Sequence, residues 1–141
     1  MTQEQEDLLL KDLCARFKYG VIVVTPKGRG YVNEINFTIF GYELGVNIDP
    51  LIRDAFSIND VKPYLFPLSS MTDKDLIEFL QIKGTNLNSD ELKDFRNGKI
   101  AIVSSLSSYS RNIDWLNTHH IDYRGLIPMG LAIDATNLNI Y

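Results

Sequence analysis

Residues 20–49 read GVIVVTPKGRGYVNEINFTIFGYELGVNID, and the period of this stretch decides the fold class. Val21-Ile22-Val23-Val24 is β-branched throughout; such side chains suit a pleated surface and lose rotamer freedom in a helix. Pro26-Lys27-Gly28-Arg29-Gly30 supplies a turn, after which Tyr31, Ile35, Phe37 and Ile39 recur at even spacings. Leu44, Val46 and Ile48 then alternate with Glu43, Gly45, Asn47 and Asp49, the pattern of a half-buried strand. Phe56 and Ile58 offer a last short strand after the Asp49-Pro50 turn. Roughly four or five short antiparallel strands specify a small curled sheet or an SH3-like barrel.

Upstream of the strands, Thr2 and Gln5 form a capping-box pattern, and Leu10, Leu13, Cys14 and Phe17 follow at helical spacing. Residues 3–17 are therefore expected to be a helix ended by Gly20. Cys14, on that stripe, is expected to be a small buried core residue rather than a nucleophile.

Downstream, Pro63 and Pro67 break the pattern, so Asp60 to Ser70 is expected to cross irregularly and lay Tyr64, Leu65, Phe66 and Leu68 over an edge or end of the sheet. Thr72 with Asp75 repeats the capping pattern ahead of Leu76, Phe79 and Leu80, a helix that runs to Gly84. Ser89-Asp90-Glu91-Leu92 resembles a helix start while Asn97-Gly98 is a hairpin signal, and a short helix closed by Gly98 is favoured. Lys99 to Leu106 reads as a strand, Ser107 to Ser110 as a helix entry, residues 109–119 as a last helix, and Leu131 to Ile133 as an apolar tail. The whole, residues 1–141, is one α+β domain with an N-terminal helix, a small sheet and C-terminal helices.

Composition narrows the function classes. The chain has 45% hydrophobic and 23% charged residues, and its net charge of -4 arises from 18 acidic and 14 basic residues. That is the balance of a folded domain, and no run of five like charges marks a polyanion partner. With Cys14 as the single cysteine, no intramolecular disulfide forms, which fits a reducing compartment. Glu4, Glu6 and Asp7 precede the short Leu8-Leu9-Leu10 run, unlike a signal peptide, and no apolar run approaches the ~20 residues of a membrane span. A cytoplasmic protein is expected.

Asn117 to Gly130, NTHHIDYRGLIPMG, is the one stretch that reads as chemistry. His119, His120 and Asp122 are candidate metal ligands for a metal-dependent hydrolase. Yet adjacent helical residues point about 100° apart, whereas helical histidines that share an ion stand four apart. Tyr109, Ile113, Leu116 and His120 share a face, while His119 stands near Trp115 and suits stacking on it. The favoured reading is structural: the histidines close the last turn, Gly125 reverses the chain, and Asp122 and Arg124 fix the loop by bonding backbone groups or each other. No cofactor is expected.

Other motifs carry less. Lys27-Gly28-Arg29-Gly30 lacks the following helix that would hold a phosphate, and Ser104, Ser105, Ser107, Ser108 and Ser110 lack a G-x-S-x-G elbow. Tyr31, Phe37, Phe40 and Tyr42 have the chemistry to stack unpaired bases, with Lys27 and Arg29 on phosphates, but the acidic balance opposes nucleic-acid binding.

VKPYLFPLSSMT, Val61 to Thr72, and IDWLNTHHIDYRGLIPMGLAI, Ile113 to Ile133, resemble blocks in a group of short uncharacterised proteins of gut Bacteroidales and their phages and mobile elements. Members of that group commonly begin with a helix like LLLKDLCARF, Leu8 to Phe17. The resemblance implies a small cytoplasmic protein and no catalytic residue. The expected function is a non-enzymatic interaction module for a host or phage protein. The alternatives are a nucleic-acid-binding accessory protein and, behind it, the hydrolase centred on His119, His120 and Asp122.

Overall fold

A computed structural model describes residues 1–83, 97 and 113–141. Thr2 opens helix α1 (Gln3–Arg16): its hydroxyl accepts from the Gln5 N–H at 3.2 Å, and the Gln5 side chain accepts from the Thr2 N–H at 2.9 Å. This reciprocal cap satisfies donors that a helix start leaves without intrahelical partners. A 3-10 turn over Phe17–Tyr19 follows, and Gly20, at φ +71°, stops it in the left-handed conformation that a Cβ disfavours.

The face that α1 buries is not the one its apolar spacing suggests. Leu9, Asp12, Leu13 and Arg16 are buried, whereas Cys14 and Phe17 are exposed. The expectation of a buried Cys14 is thereby corrected. Leu8-Leu9-Leu10 offers more than one apolar stripe, and the Asp12–Arg16 ion pair, completed by groups distant in the chain, lets charged residues take the inner side.

Strands β1 (Ile22–Thr25), β2 (Gly28–Thr38), β3 (Gly41–Asp49) and β4 (Ile52–Ser57) form the expected antiparallel meander. The even spacing of Tyr31, Ile35, Phe37 and Ile39 does not mark one core face. The β2–β3 register slips between Val32 and Glu34, and such a bulge exchanges the faces of a strand. Val32 is buried before the slip and Ile35 packs on the core after it, while Tyr31 is exposed. Gly28 and Gly30 belong to β2 rather than to a loop, and a Cβ at Gly30 would overlap the Asn47 carbonyl on β3.

Lys62–Pro67 is strand β5, which corrects the expected irregular crossing. Pro63 is its second residue and Pro67 its last, so the missing N–H groups fall near its ends, and Tyr64 to Phe66 keep theirs. β5 pairs antiparallel with β1 through Val23↔Pro63 and Val24↔Lys62. It also pairs parallel with β6 (Ile121–Asp122) and with β7 (Ile133–Asp134). Phe66 N–H donates to the His120 carbonyl at 2.9 Å and Ala135 N–H to the Leu65 carbonyl at 2.8 Å. Because consecutive strand residues bond toward opposite edges, β6 and β7 flank β5 on its two sides. The order β4-β3-β2-β1-β5-β6, with β7 on β5, is an open, mostly antiparallel sheet in an α+β fold, not a closed SH3-like barrel.

One face of the sheet packs Leu9 and Leu13 of α1 against Val23, Val32, Leu44, Val46 and Leu65, with Leu126 and Leu131 closing the core. The neighbours in register, Ile22 and Tyr64, point the other way onto Ala135. Helix α2 (Asp73–Lys83) starts with the expected box between Thr72 and Asp75. Its Leu76 and Phe79 meet Trp115 and Leu116 of α3, described over residues 113–118, in a second core beside Ile121. Apart from Asn97, the helix-or-hairpin at residues 89–98, the strand Lys99 to Leu106, the serine-rich entry and Tyr109 lie outside the described residues. Among the described residues no helix is long and apolar enough to cross a membrane.

Candidate functional site

The stretch after α3 sends its polar side chains in three directions. His119 Nδ1 lies 2.9 Å from the Trp115 carbonyl, and its ring stacks on the indole at 3.9 Å and 19°. A carbonyl only accepts, so Nδ1 carries the hydrogen. His120 has left the helix, at φ +57°, and its buried ring stacks on Tyr141 at 3.7 Å and 9°. The Asp122 carboxylate accepts from Leu126 N–H at 2.9 Å and Ile127 N–H at 2.8 Å, bracing the turn that Gly125 makes at φ +75°. His119, His120 and Asp122 thus fold the loop as three separate fastenings, and the described residues hold no group of three or more histidine, cysteine or acidic side chains disposed around a common ion.

Behind this loop lies an ionic cluster that the sequence reading missed. Asp12 and Arg16 are fully buried, joined by Nε to Oδ2 at 2.8 Å and Nη2 to Oδ1 at 3.1 Å. Arg16 Nη2 also donates to the Ile121 carbonyl at 2.7 Å, and Arg124 Nη1 reaches Asp12 Oδ1 at 2.8 Å. Both guanidinium groups lie near the Tyr123 ring, at 5.4 and 4.4 Å from its centroid. The available signal was the i,i+4 spacing of Asp12 and Arg16 on the Leu9–Leu13 side of the helix.

This setting suppresses ionisation instead of promoting it. Burial first, then the charge on Arg16 and the proximity of His119, lowers the His120 pKa to about 4, so the ring is neutral near pH 7. Burial raises the Tyr141 hydroxyl to about 12; it donates to the Tyr64 carbonyl at 2.9 Å and accepts from Ile22 N–H at 3.2 Å. Burial likewise raises Tyr123, which donates to Asn117 Oδ1 at 3.0 Å. The two tyrosine hydroxyls tie chain segments together, and His120 does so through its stack on Tyr141, its buried Nδ1 having no hydrogen-bond partner among the described residues.

Exposed large apolar side chains stand together at the β2–β3 hairpin tip, as Leu51 and Ile52 do at the β3–β4 turn. Thr38 Oγ1 accepts from Phe40 N–H and donates to the Gly41 carbonyl, both at 3.1 Å, and Gly41 adopts φ +111°. This frame holds Ile39 and Phe40 outward, 93% and 88% exposed, beside Phe37 at 76%. The Phe37 and Tyr42 rings meet at 5.0 Å across the hairpin.

The residues considered for nucleic acid do not form one surface. Phe37, Phe40 and Tyr42 occupy the tip, whereas Lys27, Arg29 and Tyr31 lie at the far end of β2. Lys27 is paired with Asp54, whose carboxyl it holds below the usual range.

No protein-family model matches the chain, and no curated protein and no solved structure matches it.

Proposed function

We propose that the protein is a non-enzymatic interaction module that binds another protein through the β2–β3 hairpin tip. The observation that carries this reading is the outward placement of adjacent Ile39 and Phe40 on a tip fixed by Thr38 and Gly41. Single exposed apolar residues are ordinary, but neighbouring large ones form a patch. Burying such a side chain is worth about 1.5–3 kcal/mol, and a tip already held in shape loses little freedom on docking. An aromatic and a branched aliphatic anchor inserted in a partner's pocket is a common source of interface energy. In keeping with the resemblance to proteins of Bacteroidales and their mobile elements, we take the partner to be a cytoplasmic host or phage protein.

Affinity capture from a Bacteroidales extract, read by mass spectrometry, tests this with Ile39→Asp and Phe40→Asp beside the natural chain. A partner should be recovered by the natural chain and lost from both variants, with thermal melting unchanged. Recovery of the same proteins by the variants would refute the tip as the interface. Submicromolar binding to a generic oligonucleotide near physiological salt would shift the reading to a nucleic-acid accessory role.

A further inference from the structure

A cleft of about 310 Å³ lies where β5, α2 and α3 meet the loop after β7, and Phe66, Trp115 and Ile121 form its apolar side. Its rim is polar, with Ser70, Asp75, His119, Thr136 and Asn137. Asp75 lines it with a carboxylate whose Oδ2 is held by Thr72 N–H at 2.9 Å, which fixes the group's position without neutralising it. His119 lines it too, its ring set by the Nδ1 contact to the Trp115 carbonyl. The Ser70 hydroxyl, also on the rim, donates to the Pro67 carbonyl at 2.7 Å and keeps its own lone pairs.

The described lining contains no lysine or arginine. Lys74 adjoins Asp75 in sequence but is exposed, about 100° around the helix. The partial positive charge of the α2 start is offset by Asp73 and Asp75 in its first turn. An anionic ligand would meet a carboxylate here, and a bare metal ion would lack a set of three histidine, cysteine or acidic ligands among the described residues. A cation with a hydrocarbon stem satisfies both parts, its charge at Asp75 and its methylenes on Phe66 and Ile121.

We propose that this cleft binds a primary ammonium on a short apolar stem, supplied either by a lysine side chain of a protein partner or by a free alkylamine. The site stands apart from the hairpin tip and does not depend on that reading.

Trp115, the chain's single tryptophan, lines the cleft and reports occupancy by its fluorescence. Titration with n-butylammonium should give a saturable change, and uncharged 1-butanol should not reproduce it. Asp75→Asn retains an acceptor for the Thr72 N–H and removes the charge; it should weaken the ammonium at least about tenfold. Thr136→Lys, an exposed position on the rim, should place a tethered ammonium in the cleft and block the added one. Because Thr136 makes no part of the core, this variant decides the matter if Asp75→Asn fails to fold. Nα-acetyl-lysine methylamide is the second probe: tighter binding than butylammonium identifies a peptide source, and weaker binding a free amine. An equal response to 1-butanol, unchanged affinity in Thr136→Lys or in folded Asp75→Asn, or no saturable change by tens of millimolar, well above a ~1 mM weak site, would overturn the proposal.

Discussion

Asp12→Ala tests the buried cluster and the orientation of α1 together. The Asp12 carboxylate is the acid that pairs with both guanidinium groups, at 2.8 Å to Arg16 Nε and 2.8 Å to Arg124 Nη1. Removing it leaves two cations facing each other across a space with no counter-charge among the described residues. Arg124 is 15% exposed at its side chain and can turn toward water, but Arg16 is 0% exposed and retains the Ile121 carbonyl and the Tyr123 ring, neither of which carries a charge. Breaking a buried ion pair by deleting one partner costs about 3–5 kcal/mol. The upper part of that range is expected here, a large share of the ~5–15 kcal/mol that holds a domain folded. Asp12→Asn, which keeps an acceptor oxygen and the shape, should cost about half as much. Asp12→Ala combined with Arg16→Met should recover most of the loss, because a well-packed apolar replacement is commonly as stable as the pair it replaces. Urea unfolding followed by far-ultraviolet circular dichroism measures each term by linear extrapolation. If α1 instead buried the Leu10–Cys14 stripe, Asp12 and Arg16 would form a surface i,i+4 pair worth about 0.3–0.5 kcal/mol. A loss below about 1 kcal/mol for Asp12→Ala would therefore refute the buried cluster.

The His120 environment makes stability depend on acid. The unfolded imidazole takes its proton near 6.5 and the folded one only near 4, so the folded state is fully favoured above pH 6.5 and loses ground as pH falls toward 4. At 1.36 kcal/mol per unit the ceiling over the whole window is about 3 kcal/mol, and partial solvent screening brings it to roughly 2; melts at pH 7 and pH 5 cross somewhat more than half of that window and should show a loss of roughly 1 kcal/mol, and His120→Phe should flatten it. Exposed Cys14 should react with a thiol reagent under native conditions as fast as a free thiol, and Cys14→Ala should change stability by less than about 0.5 kcal/mol; slow labelling limited by unfolding would contradict its exposure. Gly30→Ala should cost about 1–3 kcal/mol or more, because its Cβ meets the Asn47 backbone of the paired strand, and an unchanged denaturation midpoint would contradict that close approach.

Local patterns were legible where the chain satisfied its own neighbours. The Thr2–Gln5 and Thr72–Asp75 boxes, the alternation Leu44-Val46, and the use of Asp122 to bond nearby backbone N–H groups all depend on residues within a few positions. His119 stacks on Trp115 for the same reason, being one helical turn away. Features decided by distant groups were not legible. Asp12 and Arg16 can be buried only because Ile121 and Arg124 return to them, more than one hundred residues later. Strands β6 and β7 span two residues each, too short for a period, and exist because β5 supplies the pairing. The bulge at Val32–Glu34 defeats any reading that carries one parity through β2.

The position of β5 separates the fold into parts with different assembly histories. The hairpins β1–β2, β2–β3 and β3–β4 close over short sequence separations, and loops of that size form quickly. The pairings Phe66↔Ile121 and Tyr64↔Ile133 instead bridge more than fifty residues, as do the bonds from Arg16 to Ile121 and from Arg124 to Asp12. The edges of β5 beyond β1 therefore remain open templates in a half-assembled chain, able to capture a strand from another molecule until residues 120–135 dock. Crowded or hot conditions that slow that docking should divert the protein into aggregates nucleated at Tyr64 to Phe66, and native-state exchange should find the Phe66 and Ala135 amides opening together, ahead of the meander.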